Sequence, residues 1–223
     1  MRKRLYTSLH DAFEAGKSLQ KVQRVGGHQL AVPVSDAPPA LVHNIVATTQ
    51  ILASVMPINL EHVARMLPNS YYDKHKFAAI TIRMSDPTCT ALLFTSGKLV
   101  LTGCRGWYEC VLASMHIVRM LRQQVDGVDF RVSDNTIQNI VGHVEVPIAP
   151  GGCLDLDRLY DTHCTHCTYQ RNMFPGLIFR PDKSPIVLLC FYSGRIVITG
   201  GKSDEDITIG WQRLWPVIKN FIV

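Results

Sequence analysis

His163-Cys164-Thr165-His166-Cys167 packs two imidazoles and two thiols into five residues, and its Cys-x-x-Cys spacing offers two thiolates to a metal. A structural zinc takes four ligands, and only Cys153 or His143 stands ready to join from elsewhere in the chain. Nucleophiles, carboxylate pairs and metal clusters do not recur at matched positions of the repeat described below, so a catalytic reading has no residues to rest on. What does recur is Phe, Asn, Val, Thr and Arg or Lys. These side chains pack, offer single hydrogen bonds and carry positive charge, which is the chemistry of binding.

They recur because the chain is written twice. Phe77–Gly103 (FAAITIRMSDPTCTALLFTSGKLVLTG) returns as Phe174–Gly200 (FPGLIFRPDKSPIVLLCFYSGRIVITG) at an ungapped offset of 97 residues. Arg83 falls on Arg180, Phe94 on Phe191, Gly97 on Gly194, Thr102 on Thr199 and Gly103 on Gly200. An upstream strand within VHNIVATTQ (42–50) has its counterpart within QNIVGHVEV (138–146), where Asn44-Ile45-Val46 falls over Asn139-Ile140-Val141 at offset 95. Repeat two therefore holds two extra residues in a loop. Two copies are too few for a solenoid and fit a pseudo-twofold domain.

Within each copy an apolar run (91–94, 186–191), a Ser-Gly turn and a second apolar run (99–101, 196–198) must pair antiparallel, because a parallel return needs a crossover. Antiparallel strands with one wet face alternate polar with apolar residues; these do not. Both faces of the sheet therefore need shelter. Helices cover one, and the other wants a second sheet, a partner or a broad, poorly hydrated ligand.

The 223 residues, 47% apolar and 18% charged, suit a packed globular chain. Without a run of 18 apolar residues, a spanning helix is not expected. Of the formal charge of +5, residues 1–40 supply six Lys/Arg against three Asp/Glu, leaving 17 against 15 for 41–223. The folded part is no polycation, so nucleic-acid binding there needs a few well-placed cations plus apolar contact. Seven cysteines, an odd number, and no signal-like segment predict reduced intracellular thiols. Residues 1–40 read as a flexible lead-in; Met1–Gln20 is Arg-led and weakly amphipathic, but Asp11 and Glu14 oppose a mitochondrial presequence. Helices are predicted from an Asn59 cap through Leu67, over Leu154–Tyr160, over Glu109–Gln124, and from a Ser203 cap to about Asn220 with Pro216 loosening it.

The paired NIV strands, FAA/FPG openings and F-x-S-G-[KR]-x-V-x-T-G hairpins resemble the core of the TATA-box-binding protein family, divergent relatives included, over about residues 41–223. The resemblance implies an α+β fold: a pseudo-twofold saddle of two repeats (41–128 and 129–223) with a ten-stranded curved antiparallel sheet and helices on the convex face. It implies a nuclear transcription initiation factor, not an enzyme, that binds the minor groove of TATA-like promoter DNA, bends it by about 80° and needs no cofactor. Carried over by position, Phe77 with Phe94 and Phe174 with Phe191 match wedging pairs. Asn44 and Asn139 match central hydrogen-bond donors; Val46, Val100, Val141 and Val197, with Thr102 and Thr199, match the floor under the bases. Arg83, Lys98, Arg180 and Arg195 match phosphate-facing cations. The partners implied are proteins like transcription factors IIA and IIB, TBP-associated factors and the RNA polymerase machinery. The His163–Cys167 run then falls at a helix-to-strand junction that needs no metal in the family.

Some matched positions depart. Thr88 and Pro185 stand where the family places arginine, which predicts a salt dependence flatter by up to ~2. The acidic loop before the second FPG reads Gln170-Arg171-Asn172-Met173, and the long first helix keeps Arg119 and Arg122 but few other cations. These changes leave open an adaptor recruited through protein partners with weak or no TATA preference.

Overall fold

The computed structural model describes residues 5–6 and 36–223. Expectations for the rest of residues 1–35 lie outside them. The chain forms two compact units; among the described residues the first holds 5–6 and Asn44–Gln138, the second 36–43 and Asn139–Val223.

Unit one is built from β1 (Leu5–Tyr6), most of β2 (Leu41–Ala53), α1 (Leu60–Met66), β3 (Ser70–Tyr71), β4 (Ala79–Ser85), β5 (Thr88–Phe94), β6 (Lys98–Cys104), α2 (Trp107–Gln124) and β7 (Phe130–Ser133). Its antiparallel ladder runs β3-β4-β5-β6-β2, with β7 on the far end of β2 and β1 on β7. β7 and β1 were not legible as strands. The packing unit also reaches past the sequence repeat: Phe130 is 1% exposed, its carbonyl accepts from Arg122 Nε at 2.6 Å, and Asn135 donates to Ser114 of α2 at 3.1 Å.

Unit two repeats the plan with β8 (Thr136–Glu145, from Asn139 onward), α3 (Leu156–Thr162), β9 (Cys167–Thr168), β10 (Leu177–Phe179), β11 (Val187–Cys190), β12 (Arg195–Gly201) and α4 (Asp204–Ile218), closed by a 3₁₀ turn at Lys219–Phe221. Here the ladder is β8-β12-β11-β10-β9. Its hairpin strands β10 and β11 span three and four residues, where β4 and β5 span seven each. Pro181 and Pro185 bring no N–H to the ladder at the missing positions.

Local chemistry sets the helix ends. Asn59 Oδ1 accepts the His62 N–H and Asp155 Oδ1 the Arg158 N–H, each at 3.0 Å, and Ser203 with Asp206 forms a reciprocal capping box. α3 starts two residues later than expected, because the Leu154 and Asp155 N–H groups are drawn to the carbonyls of Tyr192 and Phe221 and hold that stretch extended. Pro216 lies in the last turn of α4, and the chain tightens into the 3₁₀ turn just beyond. The described end of the lead-in is pinned: Trp211 Nε1 donates to the Pro38 carbonyl at 2.7 Å, and Asp36 accepts from Trp215 Nε1 at 2.9 Å and Lys219 Nζ at 3.0 Å. Among the described residues no helix is long and apolar enough to cross a membrane.

Candidate functional site

Along the long strands buried residues alternate with less buried ones, apart from the start of β4, where Ala79 and Ile80 are both shut away. On β2, β5 and β6 the rows Ile45-Ala47, Ala91-Leu93 and Leu99-Leu101 are buried, and α2 packs on that side. The intervening residues stay half-exposed although many are apolar. In unit one a lateral row, Thr48–Val100–Leu92–Thr81, crosses four strands; unit two repeats it as His143–Val197–Leu189–Ile178. Covering only one face with helices leaves a mostly aliphatic surface in each unit, which resolves the missing polar alternation. Val46 and Thr102 in unit one, and Val141 and Thr199 in unit two, stand half-exposed on the same open faces.

Each open face ends in an aromatic pair. Phe77 and Phe94 meet edge to face with centroids 6.1 Å apart, and Phe174 and Phe191 do so at 5.7 Å. Phe77 is 48% exposed and Phe174 36%, so neither ring is spent on the core. Gly176 makes room for the second pair: a Cβ there would lie 2.7 Å from Phe174 and 3.0 Å from Phe191.

The asparagines serve a purpose not read from the sequence. β6 bulges where it pairs with β2, and β12 where it pairs with β8. The bulge residues are Gly103 (φ +98°) and Gly200 (φ +97°), in a left-handed region that side chains avoid; a Cβ on Gly200 would also run into the Pro185 carbonyl. Asn44 Oδ1 accepts the freed Gly103 N–H at 2.6 Å, and Asn139 Oδ1 accepts that of Gly200 at 2.9 Å. Because backbone donors claim the oxygens, the –NH₂ groups are left as donors; Asn139 Nδ2 also reaches Thr199 Oγ1 at 3.0 Å. The signal was present in the paired Asn and Thr-Gly motifs.

The four cations divide. Arg83, Lys98 and Arg180 are exposed and have no carboxylate partner among the described residues, whereas Arg195 Nη1 lies 3.6 Å from Glu145 Oε1. Glu145 falls on Gln50 in the first repeat, so only the second copy neutralises its turn cation.

The His163–Cys167 run is spread out. The His163 ring stacks edge-on against Phe179 and Phe221, His166 lies 3.6 Å from Asp182, and Cys164 is exposed. Burial and the neighbouring Cys164 push the Cys167 thiol up to about 11. Hydrogen bonding to Cys104 and burial raise the thiols of Cys89 and Cys110, and burial raises that of Cys190. Among the described residues no three His, Cys, Asp or Glu side chains converge as metal ligands.

Comparison with known proteins agrees with the repeat. The family model for transcription factor TFIID, or TATA-binding protein, matches residues 40–124 and again 134–221. The chain is 38% identical over 178 residues to the TATA-box-binding protein of Candida albicans, covering 80% of this chain and 71% of that protein. Against the Saccharomyces cerevisiae TATA-box-binding protein it is 36% identical over 195 residues, covering 86% and 79%. The solved structure of Methanococcus jannaschii TBP superposes with a TM-score of 0.68 at 32% identity, over 82% of this chain and 99% of that one. With both halves matched by the family model and the strand plan of each accounted for, this chain belongs to the TATA-binding protein family.

Proposed function

We propose that this protein is a general transcription initiation factor of the nucleus. It binds the minor groove of A·T-rich promoter DNA, bends the duplex by driving phenylalanine pairs between base steps, and nucleates a preinitiation complex. The observation that carries this reading is the half-exposed aliphatic row in each unit, flanked by an edge-to-face phenylalanine pair. A widened minor groove presents sugars, base edges and acceptors at A·T pairs, which aliphatic side chains and the amides of Asn44 and Asn139 complement; the guanine amino group would meet a donor. Val46, Val100, Thr102, Val141, Val197 and Thr199 form the floor. Unstacking costs a few kcal/mol per step, offset by the contact that a bent duplex brings. Arg83, Lys98, Arg180 and Arg195 fix the register on phosphates. None of these roles breaks or makes a covalent bond, so the function is binding and not catalysis. Protein partners dock on the helix side: a factor like IIA at α2, a factor like IIB near Gln170–Met173, and TBP-associated factors and polymerase machinery through them.

A second reading, an adaptor with little TATA preference, draws on the Arg195–Glu145 pair and on Thr88 and Pro185. Titrating A·T-rich and G·C-rich duplexes with wild type, Phe94→Ala and Phe191→Ala, with donor and acceptor dyes on the duplex ends, separates the two. Preference for A·T and a bend that both variants lose support the first reading; equal, variant-independent affinity for every duplex supports the adaptor.

A further inference from the structure

The two lateral rows differ at one end. Thr48 closes the first, its hydroxyl engaged at 2.7 Å by Gln138 Nε2; His143 closes the second. His143 alternates with the buried Gly142 and Val144, so it shares the open face of β8 with Asn139 and Val141. Its ring is braced edge-on by His43, centroids 5.6 Å apart at 86°. Nδ1 is buried and has no hydrogen-bond partner, while the residue as a whole is half-exposed. A proton on Nδ1 would be an orphaned buried donor, the rarer and more costly case. The proton therefore sits on Nε2, at the part of the ring that a ligand can reach.

From this we infer that His143 is a specificity-determining residue, donating Nε2–H to a minor-groove acceptor, pyrimidine O2 or adenine N3, under unit two. The inference rests on the minor-groove reading above and deepens it. At an A·T pair the donor meets only acceptors; at G·C it meets the guanine amino group, another donor. Unit one holds an already-bonded threonine at the matching place, so the two half-sites are read unequally and a nearly symmetric protein acquires a preferred direction on DNA.

The test scans a bound parent duplex one pair at a time, replacing A·T by G·C and by inosine·C, which lacks the amino group, using the full chain and the variants His143→Val and His143→Gln. At one position G·C should weaken wild type by about fivefold more than inosine·C does, the worth of one hydrogen bond. H143V should lose that difference at that position alone, and H143Q, which restores a donor, should keep it. An unchanged profile in H143V, or loss in H143Q equal to that in H143V with both variants melting as wild type, overturns the role of His143 and leaves the minor-groove reading standing. Wild type that discriminates at no position overturns both.

Discussion

The Asn139 side-chain oxygen accepts the backbone N–H of Gly200 at 2.9 Å and so fills the ladder position that the β12 bulge leaves vacant. Fold and proposed recognition share one amide: the oxygen serves the sheet and the nitrogen serves the duplex. Asn139→Ala should lower unfolding free energy in a denaturant titration by about 1–3 kcal/mol, because a bulge N–H loses its acceptor. Asn139→Asp keeps the acceptor and should stay close to wild type in the same titration. It loses the donor and faces DNA with a negative charge, so its affinity for A·T duplex should drop by about tenfold or more.

The phenylalanine pairs make the opposite split. Phe94→Ala and Phe191→Ala remove partly buried rings, so the stability lost should combine one edge-to-face contact with the burial given up, about 1.5–3 kcal/mol. Energy transfer across a bound duplex should instead change strongly, since the proposed wedge uses both rings of a pair. A variant that still bends DNA as wild type does would show that the wedge lies elsewhere.

In the proposed complex Glu145 competes with a phosphate for Arg195 and weakens that contact. Glu145→Gln, which copies Gln50 of the first repeat, should steepen the plot of log affinity against log salt by up to about 0.9, the increment for one full phosphate contact. An unaltered slope would mean that Arg195 does not face the backbone.

The thiols should react in an order set by exposure and acidity. At pH 8 iodoacetamide should label Cys164 first, with Cys167 slower because its thiol is held up near about 11; raising the pH toward that value narrows the gap. Cys89, Cys104, Cys110 and Cys190 are buried and should be labelled only in denaturant, as intact-mass spectra would count.

Much of this was legible in the sequence because duplication makes each reading a check on the other. The hairpins and the placement of Phe77, Phe94, Phe174 and Phe191 follow from patterns that occur twice, and the caps at Asn59 and Ser203 from local signals at the helix starts. What occurs once and lacks such a signal was missed. β7 has no counterpart in the repeat and pairs with the distant end of β2 and with β1. The start of α3 depends on carbonyls at Tyr192 and Phe221, far along the chain. Local pattern carries no trace of such partners. The anchoring of Asn44 and Asn139 and the Arg195–Glu145 contact arise from register, which fixes neighbours that spacing alone leaves open. His143 was weighed as a metal ligand, although counting in twos from Asn139 puts it on the open face.

The three tryptophans are confined to helices: Trp107 opens α2, and Trp211 and Trp215 lie buried in α4, their indole N–H groups tied to Pro38 and Asp36. None stands on either aliphatic row. Ultraviolet emission from this protein is therefore a gauge of helix packing that is blind to occupancy of the β surface. A melting curve followed by that emission reads folding in the presence of DNA, while a titration followed by it would stay flat at full saturation.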